Sequence, residues 1–503
     1  MPLKVLLVSP PIFDFYYSFH RSEPLGLLYI KEALAGYDWL YVDIFDARCK
    51  GTSKLIPTPD VFTYLNHIYL KDTSWFGLFY GFKRFGYSHD TIVNFVKDRG
   101  YDVVCITSLF SAYHHDVEIL AERIKKETGA IVIVGGWAVF ADTNILEKGM
   151  ADFYVVGDGE MTLPALLQEI YSSNGNITYM PKIIESDSSS QNQFFIHNFP
   201  KRDTWYTYYG KRIANIICSK GCVYNCDFCS IHSRYRYYQR TIDSIQQEFE
   251  YLYTHGVEIV NFEDDNFLFN KRFAAQLLSL MKYYKTKGMH FLCMNGVTAP
   301  NLYAVLDDAL EAGFLEFNLS LVSSHDAVVA YHNRPVLKDV IEKIAWKSLG
   351  KVKVIVYIIA GLPGATVETC IEDILFLAKL PVIIGFSPLY MLPGLPLFEA
   401  MGVPEDRRLC RGSALYSFGK GFTREDIAAL WKMCRFINRL KMAQDMDEGE
   451  FMVHYDFYKR ACNEHVWYYR DKAGKWHEGF TFSAPLPDSF AVCDINGTTR
   501  CIG

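Results

Sequence analysis

Short, continuous apolar runs alternate with helical patterns over the first 170 residues. Continuous runs are typical of strands that are buried on both faces, and intervening helices join such strands into a parallel, doubly wound sheet. Such a sheet binds ligands at the carboxyl ends of its strands. The predicted strands are residues 4–9, 39–45, 102–108, 130–135 and 152–156. The predicted helices are residues 26–35, 114–127, 144–148 and 161–171.

A second alternation follows a polar stretch and predicts six more strands with helices between them. This pattern fits a partial (β/α)₆ barrel or a second open sheet. The candidate motifs all follow strand ends, where barrels carry their chemistry, so the pattern favours the barrel. The predicted strands are residues 213–217, 258–262, 289–294, 314–321, 353–359 and 382–387. The predicted helices are residues 242–253, 271–285, 300–312, 337–346 and 367–377.

These patterns predict an α/β chain with three domains and one linker. A doubly wound, Rossmann-like sheet occupies residues 1–172, with an aromatic-rich insertion at about 49–100. A polar linker at 173–204 leads to a partial TIM-type barrel at 205–400. Residues 401–503 form a mainly helical domain that we expect to cover the substrate; its one clear helix is predicted at 424–444.

Composition narrows the possible functions. The net charge of −6 provides no basic excess to neutralise phosphates, so we expect no nucleic-acid partner. Apolar runs are too short for a transmembrane segment or a secretory signal, and thirteen cysteines are too sparse for a disulfide scaffold. We therefore expect a cytoplasmic protein. The aromatic content of 16% is typical of bulky packing first, and it leans only weakly towards a small, apolar or lipid-like substrate.

Three cysteines follow the first predicted barrel strand at close spacing: Cys222, Cys226 and Cys229. Three thiolates on one loop suit a [4Fe–4S] cluster, and they leave its fourth iron open to a substrate or cofactor. The alternative is a closed zinc site that also uses Cys218. Structural zinc sites usually show two separate cysteine pairs, whereas these four share one short segment. The spacing therefore favours the iron–sulfur cluster.

The segment SKGCVYNCDFC at residues 219–229 resembles the signature of radical S-adenosylmethionine (SAM) enzymes, in which an aromatic residue precedes the last cysteine. Three further segments resemble the family in order: NFEDDNF at 261–267, AGLPG at 360–364 and SPLYMLPG at 387–394. The resemblance implies a [4Fe–4S] cluster on the three cysteines and SAM as cofactor. One departure is Val322, which stands where the family often has glutamate. The SAM contacts implied by the resemblance are Phe228, Glu263, Asp264, Asp265 and Ser320.

A doubly wound sheet before such a barrel resembles the cobalamin-binding members of the same family. Small and polar residues at the carboxyl ends of the predicted strands carry this resemblance, because glycines let the backbone approach a flat macrocycle. The loop after the first strand lacks the Asp-x-His-x-x-Gly motif, so we expect no histidine from it on cobalt. The alternative is a sheet that has lost cobalamin and serves as a scaffold. The implied cobalamin contacts are Ser9, Ser108, Gly135, Gly136, Trp137, Gly157, Gly159 and Glu160.

The resemblance implies a cobalamin-dependent methyltransferase that acts on an unactivated carbon by way of a 5′-deoxyadenosyl radical and methylcobalamin. Homolytic hydrogen abstraction needs no base, so no catalytic acid–base residue is assigned. A second interpretation keeps both cofactors for cyclisation, ring rearrangement, oxidation or C–C coupling. A third is a non-catalytic cobalamin or iron–sulfur sensor. The expected partners are a small-molecule or lipid-like substrate and a reductant such as flavodoxin or ferredoxin.

Overall fold

The computed structural model describes residues 2–502 except 22, 70, 143–145, 147–148, 179, 181, 186–191, 232–235, 417 and 443–447. It confirms an α/β chain in which two units with parallel strands follow one another. Helices and hairpins complete the chain. Within the described residues, no helix is both long enough and apolar enough to cross a bilayer.

The N-terminal unit is a six-stranded sheet in which every pair of neighbours is parallel. Alternate residues of one strand enter different apolar clusters, as Leu6 and Leu7 do, so both faces of the sheet are covered. The strand order reverses beside Leu3–Ser9, and the crevice at such a reversal is the usual ligand site of an open α/β sheet. In spatial order the strands are Leu40–Asp46, Leu3–Ser9, Val103–Thr107, Ile131–Gly135, Phe153–Val156 and Ile183–Glu185.

In the part of the chain that the structure describes, five helices accompany these strands. They are Leu25–Leu34, His89–Arg99, Ser111–Thr128, Trp137–Ala141 and Gly159–Ser172. The helix predicted at 144–148 lies outside the described residues except for Leu146, which is helical and buried. The outermost strand, Ile183–Glu185, comes from the predicted linker, which also contains the short helix Gln193–His197. Polar stretches of this kind still add an edge strand, because an edge strand needs only the backbone of its neighbour.

The predicted insertion divides into two parts. His89–Arg99 packs into the core of the N-terminal sheet through Ile92 and Val96. The preceding part forms a small antiparallel sheet, and its aromatic side chains join the apolar core of the barrel instead. The three strands of this small sheet are Ile12–Asp14, Lys83–Phe85 and Ser53–Leu55, and Asp60–Leu65 forms a 3₁₀ helix.

Six parallel strands form the second unit as an arc. Two hydrogen-bonded groups of three are joined by isolated parallel bridges at Phe291–Phe314 and Val297–Leu319. Tyr206–Tyr208 adds an antiparallel strand at the open end, where the Tyr206 hydroxyl donates to Asp46 of the N-terminal sheet at 2.6 Å. The six strands are Lys211–Ile216, Ile259–Phe262, His290–Leu292, Glu316–Val322, Lys353–Ala360 and Ile383–Pro388.

Three of the helices between these strands begin at side-chain caps. Thr241, Asn270 and Thr366 each accept a backbone N–H of the first helical turn, which stabilises those helix starts. The segment predicted as one helix at 300–312 is interrupted at Val305 and forms two. The helices are Ile242–Thr254, Lys271–Thr286, Ala299–Ala304, Leu306–Glu311, Asp326–Tyr331, Lys338–Ser348, Val367–Ala378 and Pro396–Met401.

The C-terminal region contains the helices Arg424–Met442 and Glu448–Glu464. Two hairpins that the apolar pattern does not predict follow them. Their strands are Val466–Arg470 with Trp476–Thr481, and Phe490–Cys493 with Thr499–Ile502.

Candidate active site

The three closely spaced cysteines lie on one loop after the first barrel strand. The backbone N–H of Cys229 donates to the carbonyl of Cys226 at 3.1 Å, which turns the loop back on itself. All three thiols are free, and they are close enough to influence one another. Burial raises the pKa of Cys222 and, to about 11, that of Cys229, with a further contribution from the neighbouring thiols. A metal centre that binds here must therefore displace thiol protons.

Cys218 is separate from this loop. Its side chain is buried in the apolar core of the barrel, in the same cluster as Ile216 and Phe262. Within the described part of the chain, no three His, Cys, Asp or Glu side chains are arranged to hold one metal ion. In a [4Fe–4S] cube each thiolate binds a different iron, so its ligands are spread more widely than those of a single ion. The free, neighbouring thiols of the loop fit the cluster.

Two side chains from the loop after the fourth barrel strand contact the cysteine loop. Arg334 Nη1 lies 3.6 Å from Cys226 Sγ. His332 is fully buried and hydrogen-bonded to the carboxylate of Asp227 at 2.8 Å and to the carbonyl of Pro363 at 2.8 Å. Sequence reasoning missed both residues, and their only signal was their position after a barrel strand. The contacts of His332 and Arg334 hold in place the side of the cysteine loop that faces the barrel.

The three acidic residues after the second barrel strand serve different purposes. Asp264 is buried, and its carboxylate accepts the backbone N–H of Cys218 at 3.0 Å and the hydroxyl of Ser219 at 2.6 Å. Burial raises its pKa to about 7. Asp265 accepts the N–H of Gly221 at 2.8 Å. These two carboxylates therefore hold the backbone that leads into the cysteine loop.

Glu263 faces the N-terminal unit. It forms an ion pair with Arg21, which follows the first strand of that unit, and accepts the amide of Asn261 at 2.6 Å. Arg21 also donates to the side-chain oxygen of Asn295 at 3.1 Å. Glu263 is therefore at the mouth of the barrel, in contact with a residue of the other unit.

A cavity of about 360 Å³ opens at the carboxyl ends of the barrel strands. Of the predicted SAM contacts, Phe228 and Ser320 line it directly. Val322 lies just after Ser320 at an irregularity in the strand pairing and has a φ of 70°, which is unusual for a β-branched residue. Strained backbone of this kind clusters at binding sites, where it re-aims the neighbouring side chains.

A second cavity, of about 260 Å³, lies at the carboxyl edge of the N-terminal sheet. Five predicted cobalamin contacts line it: Gly135, Gly136, Gly157, Gly159 and Glu160. A side chain on Gly136 would come within 2.5 Å of the Ser108 carbonyl, so only glycine leaves this edge open.

The walls of this second cavity are mostly apolar. Leu25, Ile133 and Val155 contribute to them. The hydroxyl of Tyr29, which also lines the cavity, is buried and has no hydrogen-bond partner among the described residues. An apolar slot with glycine edges and one orphaned polar atom fits part of a large, flat cofactor such as cobalamin.

The other three predicted cobalamin contacts lie outside the lining of this cavity. Ser9 is buried and accepts a hydrogen bond from Arg48. The Ser108 hydroxyl lies 3.0 Å from His114 Nδ1. Trp137 Nε1 donates to the hydroxyl of Ser230, the residue after Cys229, at 3.1 Å.

Comparison with known families agrees with this geometry. The radical SAM superfamily model matches residues 216–377, and the B12 binding domain model matches residues 83–167. The chain therefore contains a radical SAM domain and, in its N-terminal unit, a B12-binding domain, and we call this N-terminal unit the B12-binding unit. The cofactors of this radical SAM protein are a [4Fe–4S] cluster, SAM and cobalamin.

Several relatives are methyltransferases by name, including the following two. The cytidylyl-2-hydroxyethylphosphonate methyltransferase of Streptomyces wedmorensis is 22% identical in an alignment of 395 positions that covers 68% of this chain and 67% of that protein. The uncharacterized methyltransferase sll1242 of Synechocystis sp. is 27% identical over 187 residues, or 37% of this chain. This radical SAM protein spans only 33% of the length of that second relative.

A solved structure has the same fold. The radical S-adenosylmethionine methyltransferase TsrM from Kitasatospora setae, with cobalamin and a [4Fe–4S] cluster bound, superposes with a TM-score of 0.62 at 15% identity. The match covers 86% of this radical SAM protein and 91% of TsrM.

Proposed function

We propose that the chain is a cobalamin-dependent methyltransferase that methylates an unactivated carbon of a small or apolar substrate. One observation carries the proposal: the cavity at the carboxyl ends of the barrel strands is lined by residues of both units. Phe228 belongs to the cysteine loop, whereas Arg21 follows the first strand of the B12-binding unit. A substrate in this cavity would contact both units at once. The names of the two relatives support methyl transfer.

When bound, the cluster and SAM supply a 5′-deoxyadenosyl radical that takes a hydrogen atom from the substrate, and cobalamin supplies the methyl group. The thiolates of Cys222, Cys226 and Cys229 would hold the cluster, and three protein ligands would leave one iron for SAM. Of the three acidic residues, Glu263 is the one we assign to the amino group of SAM, because it is held by the side chains of Arg21 and Asn261, whereas backbone N–H groups occupy Asp264 and Asp265. Phe228 and Ser320 complete the contacts we propose for SAM.

The lining of the barrel-mouth cavity indicates the character of the substrate. Met294, Ile359 and Leu392 provide apolar surface, and Asn318 and Tyr357 provide hydrogen-bonding groups. Such a wall orients a mostly apolar molecule through a few polar contacts. The chain's part is binding, orientation and exclusion of water, since homolytic chemistry requires no proton transfer from a side chain.

All thirteen cysteines are free in the structure, which suits the reducing cytoplasm where flavodoxin or ferredoxin would donate the electron. The test is anaerobic purification with reconstitution, followed by iron, sulfide and cobalt counts and incubation with SAM, a reductant and candidate substrates. We expect 5′-deoxyadenosine, S-adenosylhomocysteine and a product one CH₂ unit heavier. A product without that gain would indicate another radical reaction, and absence of 5′-deoxyadenosine would indicate a sensor.

A further inference from the structure

Both ends of the cysteine loop are fastened to the B12-binding unit. Lys220, two residues before Cys222, forms ion pairs with Asp158 at 3.4 Å and Glu160 at 3.1 Å. At the other end, Ser230 accepts the hydrogen bond from Trp137. Asp158 follows the fifth strand of the N-terminal sheet and Trp137 follows the fourth, so two neighbouring loops of that sheet hold the cluster loop at two points.

The ionic end of this attachment is poorly hydrated. The side chain of Lys220 is 15% exposed, that of Asp158 is 12% and that of Glu160 is 9%. Asn192 donates to both carboxylates, at 3.1 and 2.7 Å, and holds them together. Partly buried pairs of this kind contribute more than exposed ones, and loss of the cation leaves two carboxylates facing each other.

The same residues line the cavity of the B12-binding unit. Asp158, Glu160 and Lys220 form part of its wall together with Gly136, the residue before Trp137. A ligand that fills this cavity therefore contacts the loops that hold the cysteine loop. A change in the position of either loop would therefore also move the residues next to Cys222 and Cys229, through the contacts of Lys220 and Ser230.

We infer that Lys220 and Trp137 are positioning residues that couple the two cofactor sites. Cobalamin in the sheet cavity stabilises the loop that holds the cluster, and by thermodynamic linkage the cluster tightens cobalamin binding by the same factor. This inference rests on the two cofactors of the proposed function but not on methyl transfer. Couplings between sites in proteins typically change affinity by roughly 5–150-fold, and we expect about tenfold here.

The test measures cobalamin binding by equilibrium dialysis to the reconstituted protein and to protein without its cluster. It also measures the rate at which an iron chelator removes the cluster, with and without cobalamin. In the wild type we expect about tenfold tighter cobalamin binding when the cluster is present, and slower cluster loss when cobalamin is bound. In Lys220→Met and Trp137→Phe both effects should fall towards onefold while each site still fills.

Two further variants sharpen the result. Lys220→Arg keeps the cation and should retain the coupling. Lys97→Met removes an exposed ion pair with Glu127 in the same unit and should behave like the wild type. Equal cobalamin affinity with and without the cluster in the wild type would overturn the coupling, as would an undiminished effect in both test variants. Intact coupling without methyl transfer would overturn only the proposed function, and failure to bind cobalamin would overturn both.

Discussion

The guanidinium of Arg334 lies 3.6 Å from the sulfur of Cys226. A cation that donates to a cluster thiolate stabilises the extra electron of the reduced cluster, because reduction adds negative charge. We therefore predict that Arg334→Met lowers the reduction potential of the cluster by on the order of 100 mV, because a hydrogen bond to a charged group contributes about 1.5–3 kcal/mol and a one-electron potential shifts by about 59 mV for each 1.4 kcal/mol. Potentiometric titration followed by electron paramagnetic resonance, without SAM, measures this. Arg334→Lys keeps the positive charge, so its reduction potential should change less. An unchanged potential in Arg334→Met would contradict a hydrogen bond from Arg334 to a cluster thiolate.

The cysteine loop and the buried Cys218 provide a matched comparison. Replacement of Cys222, Cys226 or Cys229 by alanine should abolish iron incorporation and SAM cleavage, since three thiolates are needed to hold the cube. Cys218→Ala should retain both, because this side chain lies in the apolar core. Iron and sulfide analysis with visible spectroscopy distinguishes the variants. If Cys218→Ala alone lost the cluster, Cys218 would be a cluster ligand and the three cysteines of the loop would not.

Substitutions of the acidic residues beside the barrel mouth should have two different effects, one on SAM binding and the other on cluster assembly. Glu263→Gln should weaken SAM binding by roughly tenfold with the cluster intact, the loss expected for one charged hydrogen bond. Asp265→Asn should instead lower the yield of assembled cluster, because its carboxylate holds the N–H of Gly221. SAM titration of reconstituted protein and iron content after reconstitution give the two readouts. Weaker SAM binding in Asp265→Asn together with poorer cluster assembly in Glu263→Gln would show that the two residues have the opposite roles.

The buried side chain of Lys441 should make the free energy of unfolding depend on pH. Burial lowers its pKa from 10.5 to about 7, and its ammonium donates to the carbonyls of Leu377 and Leu380 at 2.9 and 2.6 Å. Between pH 7 and 10.5 the unfolded chain therefore binds more protons at this site than the folded one, so the free energy of unfolding rises with pH. Relative to Lys441→Met, the wild type should gain on the order of 2 kcal/mol between pH 7 and 9 in urea unfolding. Parallel pH profiles for both proteins would show that Lys441 titrates normally.

The insertion and the C-terminal helix share a buried ion pair. Asp72 and Lys432 lie 3.0 Å apart, with side chains 2% and 3% exposed. Asp72→Asn leaves Lys432 with an uncompensated buried charge, which typically costs about 3–5 kcal/mol. The midpoint of chemical unfolding should fall accordingly, whereas Lys97→Met should change it little because its pair with Glu127 is partly exposed. Similar midpoints for the two variants would show that the buried pair contributes little.

The regular part of the fold is predictable because burial on both faces leaves a local record in the sequence. The apolar runs at 4–9 and 353–359 become the strands Leu3–Ser9 and Lys353–Ala360. The strand Ile183–Glu185 leaves no such record, since it pairs with its neighbour mainly through backbone groups. The first C-terminal hairpin escapes prediction for a related reason, because Trp467 and Trp476 pack against Phe76 of the distant insertion.

The candidate site also has one part that the sequence predicts and another that depends on the fold. The spacing of Cys222, Cys226 and Cys229 is by itself enough to place the three thiols on one loop. The SAM contacts, which remain predictions, are harder to choose because Glu263 and Asp264 look equivalent in sequence. Only the path of the backbone shows that Asp264 receives the N–H of Cys218 while Glu263 pairs with Arg21.

Asp72 and Lys432 are 360 positions apart along the chain. On the ribosome, the aromatic side chains of the insertion emerge long before the helix that covers them has been synthesised, and they stay exposed to solvent in the meantime. Such non-local closure slows folding and leaves sticky intermediates. Chaperones and a low synthesis rate should therefore raise the yield of folded protein.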